Sequence, residues 1–480
     1  MQVKKIVSLC AVAFAAMSGQ AHAAMTAPHA AIVNDAATNG RVLFISGASA
    51  TQKGFTGIIA TMFTGTPVRL ASATSTASKD FEAVAGVLAA GNGPWSGQNV
   101  IIIDRVKGGS VWGVNPVARA EAIESLDVTS ATCGSAGSGT AAMPYVCSAT
   151  PLAGYMVPDA GVSDVAPILF KAPFNTEGET AADSLTDAEL ASMAATPIYS
   201  LAFGVPVTKN VPLVNINKAA VSAIMTGNIG TWNQVDASLP ADDIVVCRRV
   251  PGSGTQSVDN LYFGNFPCDT GLANNAPADR YASGAWNDAT RKFTVTAGTG
   301  APVVVENSTS GDVRSCLDKA VTGGTFAGKD RDGNAVAVDF GAGGHKAIGV
   351  MSMDSLKDSK AAGNWQFRSL DGAGTITWDN TAIAPVTTGT GKFPTLANLI
   401  DGTWDLQGWI SFQIPDRTTG AKKALAEAFL LQAQNPAILS TIADLKNVAA
   451  AIPGGAYSGA QVMRAQYLGN NQCAPLNRNF

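Results

Sequence analysis

Four turns in this chain set glycine beside hydroxyl residues: Gly47-Ala48-Ser49-Ala50-Thr51, Gly108-Gly109-Ser110, Gly161-Val162-Ser163-Asp164 and Arg249-Val250-Pro251-Gly252-Ser253-Gly254-Thr255. Three of them lead into segments that read as helices. The start of a helix exposes unpaired N–H groups and a positive dipole end, which suits an anion. Glycine lets backbone come close to a ligand, and Ser and Thr hydroxyls add donors. Arg249 adds a planar fork that matches a tetrahedral oxyanion. The chemistry implied is recognition of a small oxyanion without turnover. A hydrolase lacks its parts: after the leader there is no Ser-x-x-Lys or Gly-x-Ser-x-Gly, and only His29 and His345 remain. No metal or cofactor is called for. Asp330-Arg331-Asp332-Gly333-Asn334 hints at a calcium loop, but the twelve-residue pattern is incomplete and Asp-Gly is a common hairpin turn.

Alternating elements position these turns. Strands are expected at Arg41–Ser46, Asn99–Asp104, Pro197–Val207, Ile244–Cys247, Val303–Glu306, Ala335–Phe340 and Trp409–Ile414. Helices are expected at Gln52–Phe63, Lys79–Ala90, Trp112–Ser125, Lys218–Met225 behind an Asn217 N-cap, from about Thr255, and at Ala421–Gln434. This alternation is the mark of an α/β protein. Residues 24–40 read as a loose leader. Residues 126–158, rich in Ser, Gly and Thr, read as an inserted loop stapled by its two cysteines.

The first 23 residues have the layout of a secretory signal. Lys4 and Lys5 precede the apolar run Ile6–Met17, and Ala21-His22-Ala23 supplies small residues for cleavage after Ala23. The run is too short to span a bilayer, which takes roughly 20 residues. No later segment reads as a membrane span. The mature 457 residues keep 30 basic and 36 acidic side chains, a formal charge of −6, which argues against a nucleic-acid or anionic-membrane binder. Charged residues make up 14% of the chain against 46% hydrophobic, so packed cores are affordable and disorder is not expected. Six cysteines survive export, which predicts disulfides. Of 15 possible pairings, sequence proximity favours Cys133–Cys147 and Cys247–Cys268, leaving Cys316–Cys473.

The order of the motifs resembles the periplasmic phosphate-binding proteins of ABC-type importers, the type II periplasmic-binding-protein family. Gly47-Ala48-Ser49-Ala50-Thr51 is similar to the family's Gly-Ala-Gly-Ala-Thr. Pro158 to Asp164 resembles Asp-Phe-Gly-Ala-Ser-Asp, and Asn217 to Asn233 resembles a helix followed by Gly-Lys-Ile-x-x-Trp-Asn. Arg248 to Thr255 resembles Arg-Arg-x-Asp-Gly-Ser-Gly-Thr, and Lys346 to Val350 resembles Gly-Ala-Ile-Gly-Tyr. The resemblance runs from about residue 41 to 415. It implies two α/β lobes joined by two crossing strands, near Ile198–Val205 and Trp409–Gln413, with the anion in the cleft. The expected domains are residues 24–200 with 408–480, and residues 201–407.

Carried over residue by residue, the resemblance implies phosphate binding by the Thr51 hydroxyl, the Gln52 backbone N–H, Ser110, Asp164, Arg249, Ser253, Gly254 and Thr255. Asp164 would accept a proton that phosphate carries and sulfate lacks, which discriminates between them. The chain departs from the pattern at Pro251, where the family has an Asp that orients the arginine. The segment 115–158 also separates motifs that normally lie close. The implied partners are inorganic phosphate and importer membrane subunits, with the protein a monomer in the periplasm or outside the cell. A surface-associated phosphate scavenger or adhesin without a transporter, or a binder of another oxyanion, remains an alternative.

Overall fold

The computed structural model describes residues 24–480 except 74–79, 152–153, 173–183, 267, 269–283, 330–333, 360–362, 373, 380, 382–383, 390–391, 454–456, 468–471, 475 and 479–480. The expected signal peptide and Asp330–Gly333 of the calcium-like loop lie outside the described residues.

One strand of 16 residues, Met193–Thr208, ties the molecule together. At about 3.3 Å per residue it spans roughly 50 Å. Its first part pairs antiparallel with the return strand Gln407–Pro415, every residue of which is buried. The ladder shifts register between Ile410 and Ser411, opposite Tyr199 and Pro197. Proline has no N–H to give to a ladder, so an irregularity beside Pro197 is expected. The last part of the long strand, Phe203–Thr208, pairs with Lys346–Gly349 and Met351–Ser352 on one side and with Trp365–Leu370 on the other.

These two strands join two sheets. In the first lobe Val42–Gly47 lies between parallel neighbours Asn99–Arg105 and Ala160–Ser163. Phe81–Val87 and Val68–Ala71 extend that sheet antiparallel, and Ala160–Ser163 pairs with the return strand. In the second lobe Ile244–Arg249 lies between parallel Val303–Asn307 and Lys346–Gly349. Valine and isoleucine crowd these parallel strands because both faces are covered. A separate four-stranded sheet, Gly284–Asn287, Lys292–Val295, Ala335–Asp339 and Thr325–Lys329, is added to the second lobe. The C-terminal ends of these strands carry three of the glycine–hydroxyl turns, whereas Gly161-Val162-Ser163, read as a turn from sequence, lies within the strand Ala160–Ser163, with Asp164 at its end.

Several expectations need correction. Residues 24–40 are not loose: Ala27–Thr38 is a helix with Val33 and Ala36 buried against Phe44, Ile101 and Ile103. Alanine is the best helix former and Pro28 fits the first turn, so a helix poor in large apolar residues forms. Lys79–Ala90 is not helical either. Phe81–Val87 is a strand in which Phe81, Ala83 and Ala85 enter one core and Val84 the other. Ala83 and Ala85, both on the Phe81 face, are strong helix formers by themselves and favour a helical reading. Trp112–Ser125 is helical only over Asn115–Arg119, after a 3-10 turn at Ser110–Gly113, and stops at Ala120 with φ 55°.

Cys133–Cys147 forms within the inserted loop as expected, but the other two pairings differ: Cys247 bonds Cys316 and Cys268 bonds Cys473. Cys316 sits on the helix Ser310–Thr322, which packs over the strand that carries Cys247, so a 69-residue separation closes across one lobe. Cys268 is thereby left to tie the end of the Asn260–Gly264 turn to the C-terminal segment, 205 residues away. Proximity in sequence misled because the helix-over-strand layer decides which cysteines meet.

Candidate functional site

Arg249 ends its strand with the whole side chain inside the protein, 2% exposed. Its Nε donates to Asn307 O at 3.1 Å and its Nη2 to Ser308 O at 2.6 Å. Nη2 also donates to Ser49 Oγ at 3.1 Å and Gly108 O at 3.4 Å, both from the first lobe. Nη1 reaches Thr255 Oγ1 at 3.3 Å and Ser310 Oγ at 3.5 Å. Among the described residues no carboxylate forms an ion pair with it. Carbonyls and hydroxyls therefore do the holding where the resemblance leads one to expect an aspartate at position 251. Burial lowers its pKa to about 10, against the pull of Asp164 and Asp312, so it stays charged at neutral pH.

Asp164 follows the strand Ala160–Ser163 and is 1% exposed. Its backbone N–H donates to Ser110 Oγ at 3.0 Å, and its Oδ2 accepts from Thr255 Oγ1 at 3.0 Å. Its Oδ1 is buried with no hydrogen-bond partner. Burial raises its pKa to about 6, while the Arg249 charge and hydrogen bonds from Thr255 and Ser110 pull the other way. Asp164 is therefore mostly an ionised acceptor at neutral pH and becomes a donor below about pH 6.

Ser253 caps the short helix Gly254–Asp259 by accepting from Gln256 N–H, and Gln256 Oε1 accepts from the Arg249 backbone N–H at 2.9 Å. The lobes meet here backbone to backbone, with Val111 N–H donating to Gly252 O at 2.9 Å. A Cβ on Gly254 would lie 2.4 Å from Ser110 Oγ and 2.6 Å from Asp164 Cβ, and one on Gly109 would lie 2.7 Å from Gly252 O. Only glycine admits this approach.

The structure thus brings together Ser110, Asp164, Arg249, Gly254 and Thr255 through direct contacts, with Ser253 at their edge. Thr51 and Gln52 are buried on the adjoining turn but bonded within it. The Thr51 hydroxyl donates to Ala48 O at 2.9 Å, and the Gln52 N–H goes to Ser49 O. Sequence reasoning included Ser49 and Gly108 in its turns but gave neither a role, and it passed over the stretch Asn307-Ser308-Thr309-Ser310. The last carried a readable signal, a Thr309–Asp312 capping box that opens the helix Ser310–Thr322. Among the described residues three ion pairs cross between the lobes: Lys53 with Asp358, Lys329 with Asp80, and Lys357 with Asp444. Among the described residues no helix is long and apolar enough to cross a membrane.

No family model matches the chain, and neither does any curated protein. Several solved structures are similar. One, from Clostridium perfringens, is described as a phosphate ABC transporter substrate-binding protein with bound phosphate: identity is 14%, 85% of this chain and 98% of that one are covered, and the TM-score is 0.42. The phosphate binding protein of Stenotrophomonas maltophilia shares 12% identity over 84% of this chain and 83% of that one, at a TM-score of 0.37. PstS from Borrelia burgdorferi shares 11% over 81% and 92%, at 0.32. With every TM-score below 0.5, these likenesses assign neither fold nor ligand to this chain.

Proposed function

We propose that this chain is an exported binding protein that encloses a protonated phosphate ion between its lobes, near Arg249 and Asp164. The observation that carries this reading is Asp164 Oδ1: a buried carboxylate oxygen without a partner, in a site whose other members are donors. A buried acceptor left empty is costly and calls for a donor. An anion that also carries a proton satisfies it, and phosphate near neutral pH is such an anion.

In this reading Arg249, Ser110, Ser253 and Gly254 donate to the phosphate oxygens, Thr255 joins them by turning its hydroxyl from Asp164 to the ligand, and the phosphate hydroxyl donates to Asp164. Thr51 and Gln52 join by exchanging their turn bonds for the ligand. The lobes divide near residues 200 and 408, and closure traps the ion. No catalytic role is assigned to any residue. We take the protein to act outside the cytoplasm, delivering phosphate to the membrane subunits of an ABC-type importer.

Calorimetric titration of the mature protein with phosphate, sulfate and arsenate tests the reading. Phosphate and arsenate should bind and sulfate should bind far more weakly. No heat with phosphate, or tighter binding of sulfate, would remove the reading.

A further inference from the structure

Arg249 is the one formal positive charge in the proposed site, so what fixes its fork fixes the ligand. Its inner edge is secured within its own lobe, by Asn307 O at 3.1 Å and Ser308 O at 2.6 Å. The outer edge is held far less well from that lobe, since the Thr255 and Ser310 hydroxyls lie at 3.3 and 3.5 Å. The shortest contact on that edge comes from across the cleft, where Ser49 Oγ accepts from Nη2 at 3.1 Å. A guanidinium pinned along one edge can still pivot about it; a second edge contact stops the pivot.

Ser49 is well placed for this. It is 3% exposed, it opens the 3-10 turn Ser49–Thr51, and its carbonyl accepts the Gln52 N–H. Its backbone is thereby tied to the helix Gln52–Ala60 and does not drift with the ligand. We propose that Ser49 is a positioning residue: in the arrangement described above its hydroxyl aims the Arg249 guanidinium from the opposite lobe and so presents it to the anion. This rests on the phosphate reading for its effect on affinity, but the contact itself does not. Glycine or alanine at position 49 would leave the turn intact and the arginine loose.

Two measurements test it. In protein carrying 15N-labelled arginine, the Arg249 side-chain resonances are assigned by their loss in Arg249→Lys. Ser49→Ala without ligand should shift or broaden them while leaving the melting temperature within a degree or two. Unchanged Arg249 resonances would overturn the proposal, whether or not phosphate proves to be the ligand. The second is a double-mutant cycle on phosphate affinity. Ser49→Ala should weaken binding about tenfold in the wild-type background, the loss expected when a hydrogen bond to a charged group is removed. In the Arg249→Lys background, where no fork remains to aim, the loss should fall below about twofold. Equal losses in both backgrounds would mean that Ser49 acts on the anion directly, and the positioning role would be wrong. A wild-type protein that ignores phosphate would instead remove the functional reading, with the resonance experiment still deciding the contact.

Discussion

Replacing Asp164 with Asn separates a proton acceptor from a turn residue. The shapes match, the negative charge disappears, and the amide can donate as well as accept. In the wild type the ligand's hydroxyl would donate to an ionised carboxylate, a bond worth roughly 1.5–3 kcal/mol. Sulfate has no proton to offer and meets like charge; two unit charges about 4 Å apart repel by roughly 4 kcal/mol at an effective dielectric of 20. Losing even the smaller figure should shrink the phosphate-to-sulfate affinity ratio at least about tenfold. Stability should move the other way from a lost cap. Burial lifts the Asp164 pKa from 3.8 to about 6, so the folded protein holds this proton more tightly than the unfolded chain. Such a group costs stability at pH above about 6, and the cost fades as pH falls from 6 to 3.8. The two-unit rise corresponds to roughly 3 kcal/mol at most. Asp164→Asn should therefore raise the ligand-free melting temperature at pH 7.5 and lose that advantage near pH 4. The assay is paired calorimetric titration with both anions plus thermal melts at the two pH values. An unchanged affinity ratio with a lowered melting temperature at pH 7.5 would show that Asp164 merely shapes its turn. The wild type offers a parallel check, because its preference for phosphate should weaken as Asp164 protonates below about pH 6.

Arg249→Ala removes the one cation that the described residues place in the proposed site and should cost roughly 2–5 kcal/mol of phosphate affinity; binding retained within about threefold by titration would place the ligand elsewhere. The ion pairs across the cleft are partly exposed, so each is worth at most about 1 kcal/mol. Lys329→Ala with Lys357→Ala should speed phosphate release several-fold in dilute buffer and much less at about 0.5 M salt, where screening acts within a few ångströms. Stopped-flow release rates that respond equally at both salt levels would exclude an electrostatic latch. Mass-spectrometric mapping of the unreduced mature protein should recover Cys133–Cys147, Cys247–Cys316 and Cys268–Cys473 as linked peptides; a Cys247–Cys268 peptide would contradict the layer that sets Ser310–Thr322 over its strand.

The sequence was most readable where one physical signal dominated. Strands such as Val42–Gly47, Asn99–Arg105 and Ile244–Arg249 are runs of branched apolar residues that end at glycine turns. Asn217 announced its helix through a cap that the structure contains, accepting from Ala220 N–H at 2.7 Å. Arg249 and Asp164 stood out because charge beside glycine and hydroxyls is unusual in a chain with so few charges. Failures came where the deciding partner was remote. Phe81–Val87 is a strand because two separate cores claim its two faces, which its own pattern does not reveal. Cys247 finds Cys316 because a helix folds back over the sheet. Ser49 and the carbonyls of Asn307 and Ser308 hold Arg249 from positions 200, 58 and 59 residues away, and no local rule connects them.

If the proposed site binds phosphate, its charge balance leaves the selecting to hydrogen bonding and not to net charge. Arg249 contributes one positive charge and an ionised Asp164 cancels it, so the closed space is nearly neutral before any ligand enters. An anion brought into such a space loses its hydration, and a buried charge is tolerable only when hydrogen bonds replace that water. The replacements at hand are neutral: hydroxyls from Ser110 and Ser253, that of Thr255 once it turns from Asp164, and the backbone at the start of Gly254–Asp259. Neutral donors act only within about 3 Å, so they must close on the ion from both lobes at once. That demand explains the glycines. Ser110 and Asp164 reach the opposite lobe because position 254 has no side chain, and an alanine there would set its Cβ 2.4 Å from the Ser110 hydroxyl. The same atom would hold the lobes apart and separate the donors from their shared target. In the proposed site closure and recognition would therefore be one contact, and both would fix the residue type at 254.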